Sequence, residues 1–180
     1  MEFWDIYDIN KKPTGRTMKR NDWCLKDGEY HLTVLGVVAR PDGTFLITKR
    51  VLTKAWAPGW WEVSGGAAQA GESSYDAVLR EVKEETGVSA SIIKYVGKSN
   101  YTFNTAFDVV NKDVHWYLMM SDSYYSKPQR EEYFVDSGYY KYHEAYHLLK
   151  FPNEKQILEQ AYSEYVDLKK KNLWGNKKYY

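Results

Sequence analysis

From Gly66 to Val88 the chain reads GAAQAGESSYDAVLREVKEETGV. Between Ser73 and Thr86 the apolar residues Tyr75, Val78, Leu79 and Val82 recur at the i, i+3, i+4, i+7 spacing of one helix face, and Gly87 supplies a C-cap. At about 100° per residue, Glu81, Glu84 and Glu85 fall within roughly a third of the helix circumference, beside the packing face. Three carboxylates that close repel and raise one another's pKa unless a cation neutralises them, and hard oxygen donors suit magnesium or manganese. The stretch therefore predicts a helix that packs along one face and presents metal-binding glutamates along the next.

Outward from this helix the pattern alternates strands with turns. The first nine residues alternate apolar with polar as a half-buried strand does, and Pro13-Thr14-Gly15 has turn chemistry. Tyr30 to Ala39 and Thr44 to Lys49 flank Asp42-Gly43, a hairpin signal. Pro58-Gly59 punctuates a loop that leads to a short strand at Trp61 to Ser64. Ile92 to Val96, Tyr101 to Val110 and Val114 to Met120 read as strands, with a turn at Asn111-Lys112-Asp113. A last helix is capped by Asn153, carries Ile157, Leu158, Ala161, Tyr165 and Leu168 at helical spacing, and ends in lysines 169 to 171 as a solvated C-terminus. The expectation is one domain over residues 1–180, α/β in class, with a mixed sheet.

Composition narrows the function. The 180 residues carry a net charge of +1, so no global field points to nucleic acid or a membrane surface as partner. Cys24 is the only cysteine, which excludes an intrachain disulfide and a multi-cysteine zinc site. The opening residues Met-Glu-Phe-Trp-Asp-Ile-Tyr-Asp are acidic and lack a continuous apolar stretch, and no apolar run approaches the roughly 18 residues of a membrane span. The expected location is cytoplasmic and the expected partner a small molecule, with a homodimer left open.

Gly66, Glu72, Arg80, Glu81, Glu84, Glu85 and Gly87 stand at the spacing G-x5-E-x7-R-E-U-x-E-E-x-G-U, where U is aliphatic, and this resembles the Nudix box over residues 66–88. Seven fixed letters match by chance on the order of once in a billion starts, which decides against a merely solvated acidic face. The resemblance implies an α/β/α sandwich whose box helix presents glutamates to metal, and hydrolysis of a diphosphate linkage in a nucleoside diphosphate or a derivative. It implies metal ligation by Glu81 and Glu85, with Glu84 as an additional ligand or the general base, and a backbone carbonyl at Gly65. Gly66, Glu72, Arg80 and Gly87 then serve the box structurally, Arg80 by pairing with a box glutamate. Relatives recruit a further glutamate from a later loop, and Glu131-Glu132 is the candidate, with Glu132 taken as catalytic.

A second resemblance, to the branch containing isopentenyl-diphosphate isomerase, rests on Trp4 to Asp8, Gly15-Arg16, Tyr30-His31-Leu32, Lys49-Arg50, Thr53-Lys54, Trp56 and Pro58-Gly59. It implies that Arg50 and Lys54 contact the diphosphate. His31 aligns with an isomerase metal ligand, but alone it reads as a structural histidine. The isomerase also needs a cysteine just before the box glycine, and Val63-Ser64-Gly65-Gly66-Ala67 has none. Isomerase-like activity and a non-catalytic ligand-sensing module stand as the rival functions. Trp56, Trp60, Trp61, Trp116 and Tyr117 are the candidates to stack on a base, worth roughly 1 to 3 kcal/mol.

Overall fold

Strand β3 (Tyr30–Ala39) organises the fold, because its residues are apolar in both phases and it is buried on both faces. In the computed structural model, which describes residues 1–128 and 133–174, β3 pairs with four other strands. Strand β1 (Phe3–Tyr7) joins its start and β6 (Ser64–Ala67) its middle, both antiparallel, while β8 (Val109–Met120) runs parallel to it from His31↔Lys112 to Ala39↔Met120. Strand β4 (Thr44–Arg50) meets it only at Ala39↔Phe45.

That single pairing shapes the site. The expected turn is present, with Gly43 at φ 83° and the Arg40 amide donating to the Thr44 carbonyl at 2.9 Å. Beyond it the two strands part company. Strand β4 pairs instead with β9 (Phe134–Lys141) and with β5 (Trp61–Glu62), and a cleft opens between the two groups of strands.

Helix α1 (Ser74–Thr86) covers one sheet face, where Ala77, Val78 and Val82 pack with Val34, Val38, Tyr117 and Met119. Helices α2 (Tyr142–Leu148) and α3 (Pro152–Lys170) cover the other, where Ala145, Ile157, Leu158, Ala161 and Leu168 pack with Val37, Phe45, Ile47, Trp116 and Leu118. The architecture is the expected α/β/α sandwich around a mixed sheet. Among the described residues no helix is long and apolar enough to cross a membrane.

Three expectations change. Pro13-Thr14-Gly15 is not a turn but the start of β2 (Pro13–Lys19), an edge strand, where a proline's missing amide costs no ladder bond. The turn lies just before it, where the Asp8 side chain accepts from the Asn10 and Lys12 amides at 2.8 and 3.0 Å. Likewise, β7 (Ser91–Asn104) runs as one long strand into β8, and the reversal falls at Thr105 to Asp108 rather than Asn111-Lys112-Asp113. There the Thr105 hydroxyl accepts the Asp108 amide at 2.9 Å, whereas Lys112 and Asp113 are held on both sides by β3 and β7, and Asn111 by β7. Strand β9 and helix α2 were not anticipated, and α3 begins at Pro152 with Phe151 in the cap position, two residues before the cap expected at Asn153.

Candidate active site

The box helix is capped as its sequence requires. Ser73 accepts the Asp76 amide at 3.1 Å, and Gly87, at φ 74° and ψ 0°, donates its own amide to the Lys83 carbonyl at 2.8 Å. Its buried face differs from the expected stripe. Tyr75 and Leu79 are 48% and 37% exposed, while Ala77, Val78, Glu81, Val82 and Glu85 turn inward. The reason is the surface α1 meets: β6 offers the glycine backbone of Gly65 and Gly66, whose amides and missing side chains accommodate carboxylates where a side-chain layer would demand apolar groups.

Gly66 shows the fit most directly. A Cβ there would stand 2.6 Å from the Glu81 carboxyl carbon and 2.7 Å from each of its oxygens. One residue earlier, the Gly65 amide donates to Glu85 Oε2 at 3.1 Å. The Ala68 amide donates to the Leu32 carbonyl across the β3 pairing, so by antiparallel alternation Gly65 turns its amide and its carbonyl together away from β3, toward α1. Glu81 and Glu85 are 4% and 5% exposed, and both line the cleft.

Arg80 fixes the rest of the box. Its guanidinium donates to both oxygens of Glu72 at 2.7 and 2.9 Å, to Glu81 Oε1 at 2.8 Å, to Glu84 Oε2 at 3.2 Å and to the Ala67 carbonyl at 2.9 Å. Burial works against its charge, but the Glu72 hydrogen bonds and the charge of Glu81 outweigh that and raise its pKa. Burial likewise opposes the charged form of Glu72, and the Arg80 hydrogen bond outweighs it, leaving that carboxyl below the usual range. Glu84, with its side chain one third exposed, faces Arg80 and is not part of the cleft lining.

The cleft encloses about 710 Å³. One wall carries Thr33, Leu35, Lys112, Val114 and Tyr101 from β3, β8 and β7, and the opposite wall carries Arg50, Lys54, Trp56 and Glu62. Arg50 donates to the Trp56 carbonyl at 3.1 Å and reaches Glu62 at 3.4 Å, while the Lys54 ammonium lies 4.0 Å from the centre of the Tyr133 ring. At the α3 end, Glu154 accepts the Val63 amide at 2.5 Å. Its burial, and then the charge of Glu62, hold its pKa well above the usual carboxylate range. Burial also raises Glu62, against the pull of Arg50.

The donors around Gly65, Glu81 and Glu85 are all oxygen, which fits magnesium or manganese and not a soft metal. Among the described residues no three carboxylates, histidines or cysteines converge into a ready cage. Two protein carboxylates are nonetheless a usual number for magnesium, which keeps waters and takes substrate oxygens as its remaining ligands.

The structure thus brings Gly65, Gly66, Glu81, Glu85, Arg50, Lys54 and Trp56 to one cleft, and puts Glu72, Arg80 and Gly87 in support of it. Glu131 and Glu132 lie outside the described residues. Trp116 and Tyr117 are core residues. His31 packs against Trp4 in a tilted arrangement with ring centres 4.2 Å apart, and burial, helped by the charge of Lys112, pushes its pKa down to about 3, as befits a neutral structural histidine. Lys112 and Glu154 were missed. Both break an apolar phase: Lys112 is in step with Val114, Trp116 and Leu118, and Glu154 with Ile157, Leu158 and Ala161.

The NUDIX domain family matches residues 29–161. An uncharacterized Nudix hydrolase of Listeria monocytogenes is 36% identical over 118 residues, 63% of this chain and 69% of that protein. The nucleoside triphosphatase NudI of Salmonella heidelberg is 26% identical over 93 residues, half of this chain and 66% of the other. Among solved structures, the NUDIX domain of Shewanella oneidensis NrtR, crystallised with ADP-ribose, superposes with a TM-score of 0.63 at 18% identity, covering 82% of this chain and 94% of that one.

Proposed function

This chain belongs to the NUDIX domain family and is a Nudix pyrophosphohydrolase, and from that premise we propose that it cleaves the diphosphate linkage of a nucleoside diphosphate or a derivative of one. The observation that carries the reading is the pair Glu81 and Glu85, buried on the cleft wall against the backbone of Gly66 and Gly65. The nucleoside half is supported by the relative named as a nucleoside triphosphatase and by the aromatic residues Trp56, Tyr101 and Phe151 around the cleft.

Glu81, Glu85 and the Gly65 carbonyl are the groups that would hold magnesium or manganese. Bound there, the cation would neutralise diphosphate oxygens and lower the pKa of the attacking water. Arg50 and Lys54 bind the diphosphate from the opposite wall, the first as a planar fork and the second as a point charge. Arg80 orients Glu81 and Glu84. Accepting the proton from water falls to Glu84, the box carboxylate that meets solvent, or to Glu132.

The stretches shared with the isopentenyl-diphosphate isomerase branch supply diphosphate contacts without the acid that isomerisation needs. Ser64 is buried, Gly65 has no side chain, and Cys24 is exposed and not among the cleft residues. The test is a panel of nucleoside and isoprenoid diphosphates with magnesium or manganese, followed by product analysis. Release of phosphate or a nucleotide from a nucleoside compound, with no dimethylallyl diphosphate from isopentenyl diphosphate, supports the reading. Metal-dependent isomerisation refutes it, and tight binding without turnover would mark a ligand-sensing module.

A further inference from the structure

Lys112 lines the same cleft as Arg50 and Lys54. Its ammonium is surrounded by rings, with the centres of Phe103, Trp23 and Tyr101 at 5.4, 5.8 and 6.0 Å. Among the described residues no carboxylate lies within ion-pair distance of it and no acceptor takes a hydrogen bond from it. The adjacent Asp113 belongs to the other phase of β8, where Lys11 and His115 approach it at 3.8 and 3.7 Å. Neutral His31, the register partner of Lys112 on β3, brings no charge either.

A half-desolvated ammonium held only by ring faces is under-compensated. A cation over an aromatic ring recovers only part of its lost hydration, and burial accordingly lowers the pKa of Lys112. The position is also apart from the glutamates. On β3 the partner of Lys112 is His31 and the partner of Gly66 is Val34, three residues on. At about 3.3 Å per residue that separates the two by roughly 10 Å along the strand, and the ring cage holds the ammonium at the far end. An open cleft with a cation at that distance from its metal-binding groups suits a ligand with two separate anionic centres.

We propose that Lys112 is an anion-binding residue of the substrate cleft, engaging a phosphate monoester that the substrate carries in addition to the diphosphate at which it is cleaved. The proposal rests on the hydrolase reading for the identity of the diphosphate, but not for the binding of phosphate. A lysine suits this role because phosphate needs only a point charge there, and the rings exclude water around it.

The test has two arms. In the first, inorganic phosphate is titrated calorimetrically, in the presence of EDTA, into protein carrying Arg50→Ala and Lys54→Ala, so that phosphate taken up by the diphosphate contacts does not register. A saturable heat of binding is expected, kept in Lys112→Arg and in Glu85→Gln and lost in Lys112→Met, with the melting temperature of Lys112→Met no lower than that of its parent. In the second, KM is compared for substrate pairs that differ by one phosphate monoester, NADPH against NADH and coenzyme A against its 3′-dephospho form. The phosphorylated member should have a KM lower by about tenfold, a preference that Lys112→Met erases and Lys112→Arg retains. No response to phosphate in the parent, an equal response in Lys112→Met, or discrimination that survives that substitution overturns the proposal. If no compound in the second arm is turned over, the phosphate titration alone decides the role of Lys112, and the hydrolase reading stands or falls separately on the diphosphate panel.

Discussion

Gly66→Ala should separate catalysis from folding. The added Cβ would stand 2.6 Å from the Glu81 carboxyl carbon, against ordinary contacts that begin at 3.4 Å, so that carboxylate must retreat by about 0.8 Å. It is the end of a flexible side chain, and Gly66 needs no left-handed backbone, so the strand itself is not obstructed. The expected loss of stability is that of mild overpacking, about 1 to 3 kcal/mol. Misplacing a catalytic group by about 1 Å costs on the order of a hundredfold in rate. Turnover measured with magnesium, beside a thermal melt of the same preparation, should therefore show kcat lower by about a hundredfold in a protein that still melts cooperatively. Gly65→Ala is the contrast, because its Cβ would collide with the Val34 backbone carbonyl, and that variant should fail to fold stably. A Gly66→Ala enzyme with near wild-type kcat would refute the placement of Glu81 in the chemistry.

Three other outcomes follow from the same geometry. Arg50→Ala and Lys54→Ala should raise KM more than they lower kcat, since contacts kept from ground state to transition state are uniform binding; unchanged kinetics for every accepted substrate would remove them from the diphosphate site. Arg80→Lys should cost about 1 to 3 kcal/mol in a denaturant melt, because a single ammonium cannot replace the paired hydrogen bonds to Glu72, and stability equal to wild type would contradict its bridging role. Glu154 has a raised folded pKa, so above the unfolded value the native state holds the extra proton and stability falls as pH rises through that window. Glu154→Gln keeps an acceptor for the Val63 amide and should flatten this fall in melts taken from about pH 4.5 upward; an unaltered slope would contradict the burial argument.

The box, its helix and the C-cap at Gly87 were legible in the sequence because local chemistry dictates them. So were the packing strands on either side of Asp42-Gly43. The orientation of α1 was not: helical periodicity marked Tyr75 and Leu79 as core, whereas the glycine backbone of β6 drew Glu81 and Glu85 inward. Contacts between distant segments decided this, and apolar spacing does not record them. The cleft was hidden for a similar reason. A hairpin signal fixes the turn between β3 and β4 but says nothing of their later divergence toward β8 and β9. Lys112 was obscured by reading Asn111-Lys112-Asp113 as a turn. Turn-forming residue types lose to a strand position when both neighbouring strands supply partners, as β3 and β7 do here.

The central claim is that Glu81 and Glu85 serve metal-dependent hydrolysis of a diphosphate, and the most direct measurement is turnover of the best nucleoside substrate at saturating magnesium or manganese in Glu81→Gln and Glu85→Gln. Each substitution removes one charged oxygen donor with little change in volume. Each should lower kcat by at least about a hundredfold in a protein whose melt shows it folded. Activity near wild type in either folded variant would contradict the account.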